Sequence, residues 1–217
     1  MKELLYKEVK LCNHPTIYIF PFLTTMLLIP SYPYYVAFIY NCLAIFLVFL
    51  YGRENKDTFF STMLPVRRKD IIKARCIIIT LIELLQILLS IPFAILRTII
   101  NQNETGNLAG IEANPAFYGF VFIMYGIFNL VFLIIFYKDA FSAGKAFAFA
   151  GTIMALYIIV MEVAVQVIPN LKFSLDTTER FLMIKQVPIL VCGIIGYILF
   201  IWIAYLKSIK NFEKVDL

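Results

Sequence analysis

The chain has 217 residues, of which 62% are hydrophobic and 15% charged, and its mean hydropathy is +0.86. Soluble domains average about 25% charged residues, so the composition excludes a single soluble domain and indicates an all-α integral membrane protein with several spans. The net charge of +5 needs no nucleic-acid partner, because basic residues collected at one membrane face account for it.

Residues 1–15 interleave Leu4, Leu5, Val9 and Leu11 with Lys2, Lys7 and Lys10 at near-helical spacing. This suits a helix lying in the membrane interface with its lysines reaching toward head groups; a simple polar tail is the alternative. Apolar runs of suitable length then predict six transmembrane helices at 17–30, 34–51, 76–96, 117–137, 146–168 and 187–206. The first is the shortest, contains Pro21 and ends at Pro30. It could instead be re-entrant, which would invert every later span. It does not read as a cleaved signal, since its apolar run starts late, after Glu3 and Glu8, and no small-residue cleavage site follows.

Residues 52–75 lie between the second and third spans and carry seven Lys/Arg residues. Pro65 divides this loop, because the residue before a proline is pushed out of helical geometry. In 54–64, Glu54, Asp57 and Thr58 precede Phe59, Phe60, Met63 and Leu64, whose spacing forms one apolar helical face. A short amphipathic helix of this kind suits docking on a cytosolic partner, although it could also only lie on lipid. In 66–75, Arg67, Arg68, Lys69, Lys73 and Arg75 form a basic helix that anchors at lipid head groups and runs into the third span.

Sidedness follows from charge. With the N-terminus inside, 15 of the 19 Lys/Arg residues fall on inner segments, and only Arg97, Lys172, Arg180 and Lys185 fall outside. The positive-inside rule is satisfied, with both termini cytoplasmic and an even number of spans.

Within the spans, Glu83 and Gln86 share one face of the third, and Glu162 and Gln166 one face of the fifth. Carboxylates in hydrocarbon face a protein interior or a water-filled path. These four side chains either line a translocation path or act as interhelical glue. Arg97, near the outer end of the third span, is placed to pair with a lipid phosphate or an acidic loop residue. Pro21, Pro92 and Pro188 can kink their helices. Gly144, Gly151, Gly193 and Gly196 suggest close helix approach, and Tyr32, Tyr34, Tyr35 and Tyr118 an outer aromatic belt. Cys12, Cys42, Cys76 and Cys192 have no metal or disulfide spacing. Asn103-Glu104-Thr105 is a glycosylation sequon that reads more simply as a chance match.

One phrase carries a family resemblance. Leu64-Pro65-Val66-Arg67-Arg68-Lys69-Asp70-Ile71-Ile72-Lys73-Ala74-Arg75, after the second span, resembles the loop of small six-span permeases of the ABC-2 type. The order of an interfacial helix, two spans, a loop and four spans is also similar. The resemblance covers the whole chain in topology and about 20 residues in motif, and it implies one permease domain over 1–217. It implies that the loop's short helix is a coupling helix seated on a separate cytosolic ABC ATPase subunit, present in two copies and binding ATP and Mg. It further implies a second permease copy or a related permease, surrounding lipid, and a bacterial plasma-membrane exporter. A weaker likeness is to permeases that export amphipathic peptides such as phenol-soluble modulins.

The residues agree on one point independently. Gly144-Lys145 is followed by Ala146, and Asp139 stands where a P-loop would begin with Gly, so the chain has no nucleotide site of its own. An intramembrane enzyme is disfavoured, because His14 is the only histidine and no Asp lies in a span. An ion-coupled carrier using Glu83 or Glu162 as a proton site is the alternative function.

Overall fold

A computed structural model describes residues 2–12, 16–29, 31–100, 107, 109–139, 142–177 and 179–214. His14 and the sequon at 103–105 lie outside the described residues. The described chain is helical: α1 (Lys2–Lys7), a π-helical turn (Glu8–Cys12), α2 (Thr16–Ile19), a 3-10 helix (Phe20–Leu28), α3 (Tyr35–Glu54), α4 (Asp57–Met63), α5 (Arg68–Ile100), α6 (Pro115–Lys138), α7 (Ala143–Val167), α8 (Pro169–Leu175) and α9 (Arg180–Phe212).

Five of these helices, α3, α5, α6, α7 and α9, are long and apolar enough to cross a membrane. Each expected span from the second to the sixth lies within one of them, or within a residue of its end. The expected first span differs in form. Thr16–Leu28 is a shorter apolar helix, four residues of α-helix followed by nine of 3-10 helix. Pro21 lacks an N–H and falls at the start of the 3-10 segment, where the chain changes winding. The 3-10 form rises about 2.0 Å per residue against about 1.5 Å for the α-helix, so the segment reaches roughly 24 Å, where an all-α segment would reach roughly 20 Å. A hydrocarbon core is about 30 Å thick.

The long helices alternate in direction. One end of the bundle, called here the loop end, gathers α4, the start of α5 and the close of α9, and Arg68 Nη1 donates to Phe212 O at 2.9 Å there. The far end holds 107, 109–114, the start of α6 and α8. Helix α6 is the central element, with both faces of its aromatic run buried. Phe128, Phe132 and Phe136 stack along it with parallel rings, and Phe49 of α3 meets the last two edge-on.

Helices α6 and α9 run parallel and touch through backbone. A Cβ on Gly193 would lie 2.3 Å from Gly119 O, and one on Gly119 would lie 2.7 Å from Ile189 O. Two turns on, a Cβ on Gly126 would lie 2.6 Å from the Phe200 ring. Close approach through small residues is how helices gain packing energy in lipid, where no hydrophobic driving force acts between them. Of the four glycines expected to mark close packing, only Gly193 does so. Gly196 meets Ile123 at an ordinary 3.7 Å, and Gly144 and Gly151 face open space.

The aromatic belt is corrected as well. Tyr34 and Tyr35 are buried and pack on Phe117, with the Arg97 guanidinium 5.0 Å from the Tyr34 ring. Tyr118 is half-buried and shares a 3.0 Å hydrogen bond with Ser90. The far end closes with Asn114, whose carbonyl caps α6 by accepting from Phe117 N at 3.0 Å while its amide donates to Leu175 O and Thr177 O. An N-cap of this kind is worth about 1 kcal/mol.

Candidate functional site

The expected docking helix forms as α4, with Pro65 just beyond its end. It begins after Lys56, whose φ of 52° turns the chain sharply out of α3. Its two faces differ. Phe59, Phe60, Met63 and Leu64 are 42%, 58%, 67% and 37% exposed, so an apolar surface points away from the bundle. Glu54 is also exposed. Thr58 and Ser61 are buried on the opposite face.

Asp57 sits on that inner face within a joint of four charged side chains. Its carboxylate accepts from Arg75 Nη2 at 2.5 Å and pairs with Lys7 Nζ at 2.6 Å. Arg75 Nε lies 3.5 Å from Glu8, and Lys7 lies 3.7 Å from the same carboxylate. Lys7 also donates to Ser61 Oγ, which itself donates to the Asp57 carbonyl at 2.8 Å. The Arg75 guanidinium stands 5.2 Å from the Phe49 ring. The free volume beside Glu8 and Arg75 is about 10 Å³, room for one water at most. Two cations and two carboxylates thus tie the N-terminal segment, α4 and α5 into one body. Removing one partner of such a buried pair costs about 3–5 kcal/mol, because the remaining charge stays desolvated.

The basic run after Pro65 divides. Arg67 pairs with Asp70 at 2.8 Å, and Arg68 is spent on the C-terminus of α9 and the Phe212 ring. Lys69 and Lys73 are exposed. Arg75, expected at lipid head groups, is buried in the joint.

The intramembrane polar residues fall into two places and do not form one line. Glu83, 1% exposed, accepts from Asn129 Nδ2 at 2.8 and 3.0 Å and from Tyr197 Oη at 2.6 Å. Gln86 donates to Ala37 O at 2.8 Å and accepts from Tyr125 Oη. One face of α5 is therefore stitched to α3, α6 and α9.

Glu162 and Gln166 lie at the far end, beside a hollow of about 800 Å³ that Glu112, Lys172 and Asp176 also line. Glu162 accepts weakly from Ile111 N at 3.5 Å, and Gln166 Nε2 approaches Asp176 at 3.3 Å. Arg97 faces Glu112 at 3.5 Å, the acidic loop partner open to it from the sequence. Burial pushes the Glu112 carboxyl above its ordinary range, and the nearby Arg97 only partly opposes this. At the loop end the hydrogen bond from Lys145 holds Asp139 below its ordinary range. Among the described residues no group of His, Cys, Asp and Glu is arranged to hold a metal ion.

Sequence reasoning missed Asn129, Tyr197, Gly119 and Gly126. The first two are single residues on other helices, and nothing local marks them. Gly119 and Gly126 are seven apart, two turns on one face, and that spacing was the available signal.

The chain matches the family described as ABC-2 family transporter protein over residues 3–213. No curated protein and no solved structure gives a match.

Proposed function

The chain belongs to the ABC-2 transporter family and is a multi-pass membrane permease component, and on that premise we propose that α4 is a coupling helix docking on a separate cytosolic ABC ATPase. The observation that carries the reading is the two-faced character of α4. Its outer face offers Phe59, Phe60, Met63 and Leu64 to a partner. Its inner face is bolted by Asp57 to Arg75 and Lys7. A helix seated in a moving ATPase cleft must pass displacement on without slipping, and a buried ionic joint to the root of α5 serves that need.

In this reading Glu54, Phe59, Phe60, Met63 and Leu64 meet the partner, while Asp57 and Thr58 hold the helix in register. Lys69 and Lys73 face inner-leaflet head groups. Both termini and α4 are cytoplasmic, with Thr16–Leu28 as a sixth, 3-10-wound crossing in a bacterial plasma membrane. Two ATPase copies, carrying ATP and Mg, drive a pair of permeases through alternating access. The cargo is an amphipathic or hydrophobic substrate of the peptide class, and it moves outward. The acid-lined hollow at Glu162 and Gln166 forms the outer mouth, and Glu83 and Gln86 set the packing beside the path.

The competing reading is a carrier that uses Glu83 or Glu162 as a proton site. Three hydrogen bonds to Glu83 within a packed interior favour a structural role for it. The test is recovery of an ATPase with the tagged full chain. Phe59→Ala combined with Phe60→Ala is expected to lower recovery several-fold at unchanged membrane insertion. Unchanged recovery with unchanged transport would remove the docking role. Transport that continues in ATP-depleted vesicles and stops in Glu83→Gln with Glu162→Gln would establish the carrier instead.

A further inference from the structure

Between α5 and α9, in the half of the bundle nearer the loop end, runs a groove of about 340 Å³. Its walls are apolar, with Ile77, Leu81 and Ile198 among them, and Tyr197, Trp202 and Lys73 also line it. We propose that this groove is a binding site for one acyl chain of an anionic phospholipid, whose phosphate is held by Lys73.

The shape supports a chain as occupant. From Lys73 to Leu81 the groove follows α5 for roughly 12 Å. A volume of 340 Å³ over that length suits one linear chain. The chemistry is ordered along the slot. Lys73 is exposed at the end nearer the loop end, and the apolar walls lie deeper. On the α9 side Tyr205 stands near the level of Lys73, with Trp202 about a turn deeper and the ring centroids 6.3 Å apart; amphipathic rings favour such a head-group boundary. All lipid chains are equally apolar, so the groove walls alone cannot choose among lipids. Discrimination has to come from the single cation at the rim, and a lysine near an anionic head group is worth about a fivefold preference.

The chain carries its own probe, because Trp202 is the only tryptophan, is 60% exposed and lines the groove. The full chain is reconstituted in phosphatidylcholine vesicles containing an equal mole fraction of bromine-labelled phosphatidylglycerol or bromine-labelled phosphatidylcholine, and Trp202 emission is read. The expected result is stronger quenching by the labelled phosphatidylglycerol. That excess is lost in Lys73→Gln, kept in Lys73→Arg, and kept in Lys210→Gln, which removes a charge from the same end of the bundle. In the wild-type protein, unlabelled phosphatidylglycerol relieves the quenching more than unlabelled phosphatidylcholine, a readout that needs no variant to fold. Equal quenching by the two lipids overturns the proposal, whether from indifferent lipid contact or from a second copy of the chain seated in the groove. Survival of the excess in Lys73→Gln, or its equal loss in Lys210→Gln, overturns it as well.

Discussion

The two ends of this bundle use charge in opposite ways. At the loop end, Lys7, Glu8, Asp57 and Arg75 balance two against two, and the free volume beside Glu8 and Arg75 is about 10 Å³. At the far end, Glu112, Glu162 and Asp176 surround about 800 Å³; among the described residues Lys172 is the cation lining the hollow, and Arg97 faces Glu112 at 3.5 Å. A balanced, closed cluster is a mechanical joint: it resists rearrangement because any opening strands a charge. An acid-rich, open cluster has spare acceptors and solvent access, which suits a mouth. The contrast suits the proposed roles, force transmission at one end and exchange with the surroundings at the other.

The largest expected effect breaks the joint. Arg75→Met leaves Lys7 as the one cation facing both Asp57 and Glu8 in the joint and is expected to cost about 3–5 kcal/mol, read as a fall in the denaturation midpoint in detergent. Asp57→Asn in the same chain should recover part of that loss. A midpoint within error of wild type for Arg75→Met alone would mean that the cluster is solvated and the comparison fails. Next is the seam shared by both ends. Gly193→Val drives a side chain into Gly119 backbone and is expected to cost about 1–3 kcal/mol or more, whereas Gly151→Val, which meets open space, should cost little. Equal losses at the two sites would count against the α6–α9 contact.

A smaller effect sharpens the far end. Folding raises the Glu112 carboxyl above its ordinary range, so the native state binds the proton more tightly than the unfolded chain. This contribution is full below the ordinary carboxylate range, fades as pH rises to the raised value, and is absent above it. Glu112→Gln should flatten the pH dependence of the midpoint over that interval; an unchanged slope would place the titration elsewhere. The smallest effect is at exposed Asp139, where Lys145→Gln should let the carboxyl titrate nearer its ordinary range without a measurable change in midpoint.

Much of the architecture was legible because lipid imposes it. Hydropathy located the five long helices, Pro65 divided the loop, and the spacing of Phe59, Phe60, Met63 and Leu64 gave the outer face of α4. The inner face was not legible. Asp57 looks like any acidic residue opening a short helix, and its role depends on Arg75 in α5 and Lys7 in α1. Arg75 was grouped with its basic neighbours because sequence does not reveal that the helix turns it inward. Gln86 and Glu83 were correctly placed on one face, yet their partners Tyr125, Asn129 and Tyr197 come from α6 and α9. Tyr34 and Tyr35 follow the interfacial rule in sequence, and the rule loses to packing against Phe117. The form of the expected first span was not legible, because hydropathy counts residues and does not show that Thr16–Leu28 winds partly as a 3-10 helix with a longer rise per residue.

In the proposed function, α4 presents one face to a motor and the other to the membrane domain. The most direct measurement places a photo-crosslinking residue at Phe60 and, separately, at Thr58 in the intact membrane complex. The account predicts capture of a P-loop ATPase from Phe60 and only intrachain crosslinks from Thr58. Equal capture from both positions, or ATPase capture from neither, would contradict it.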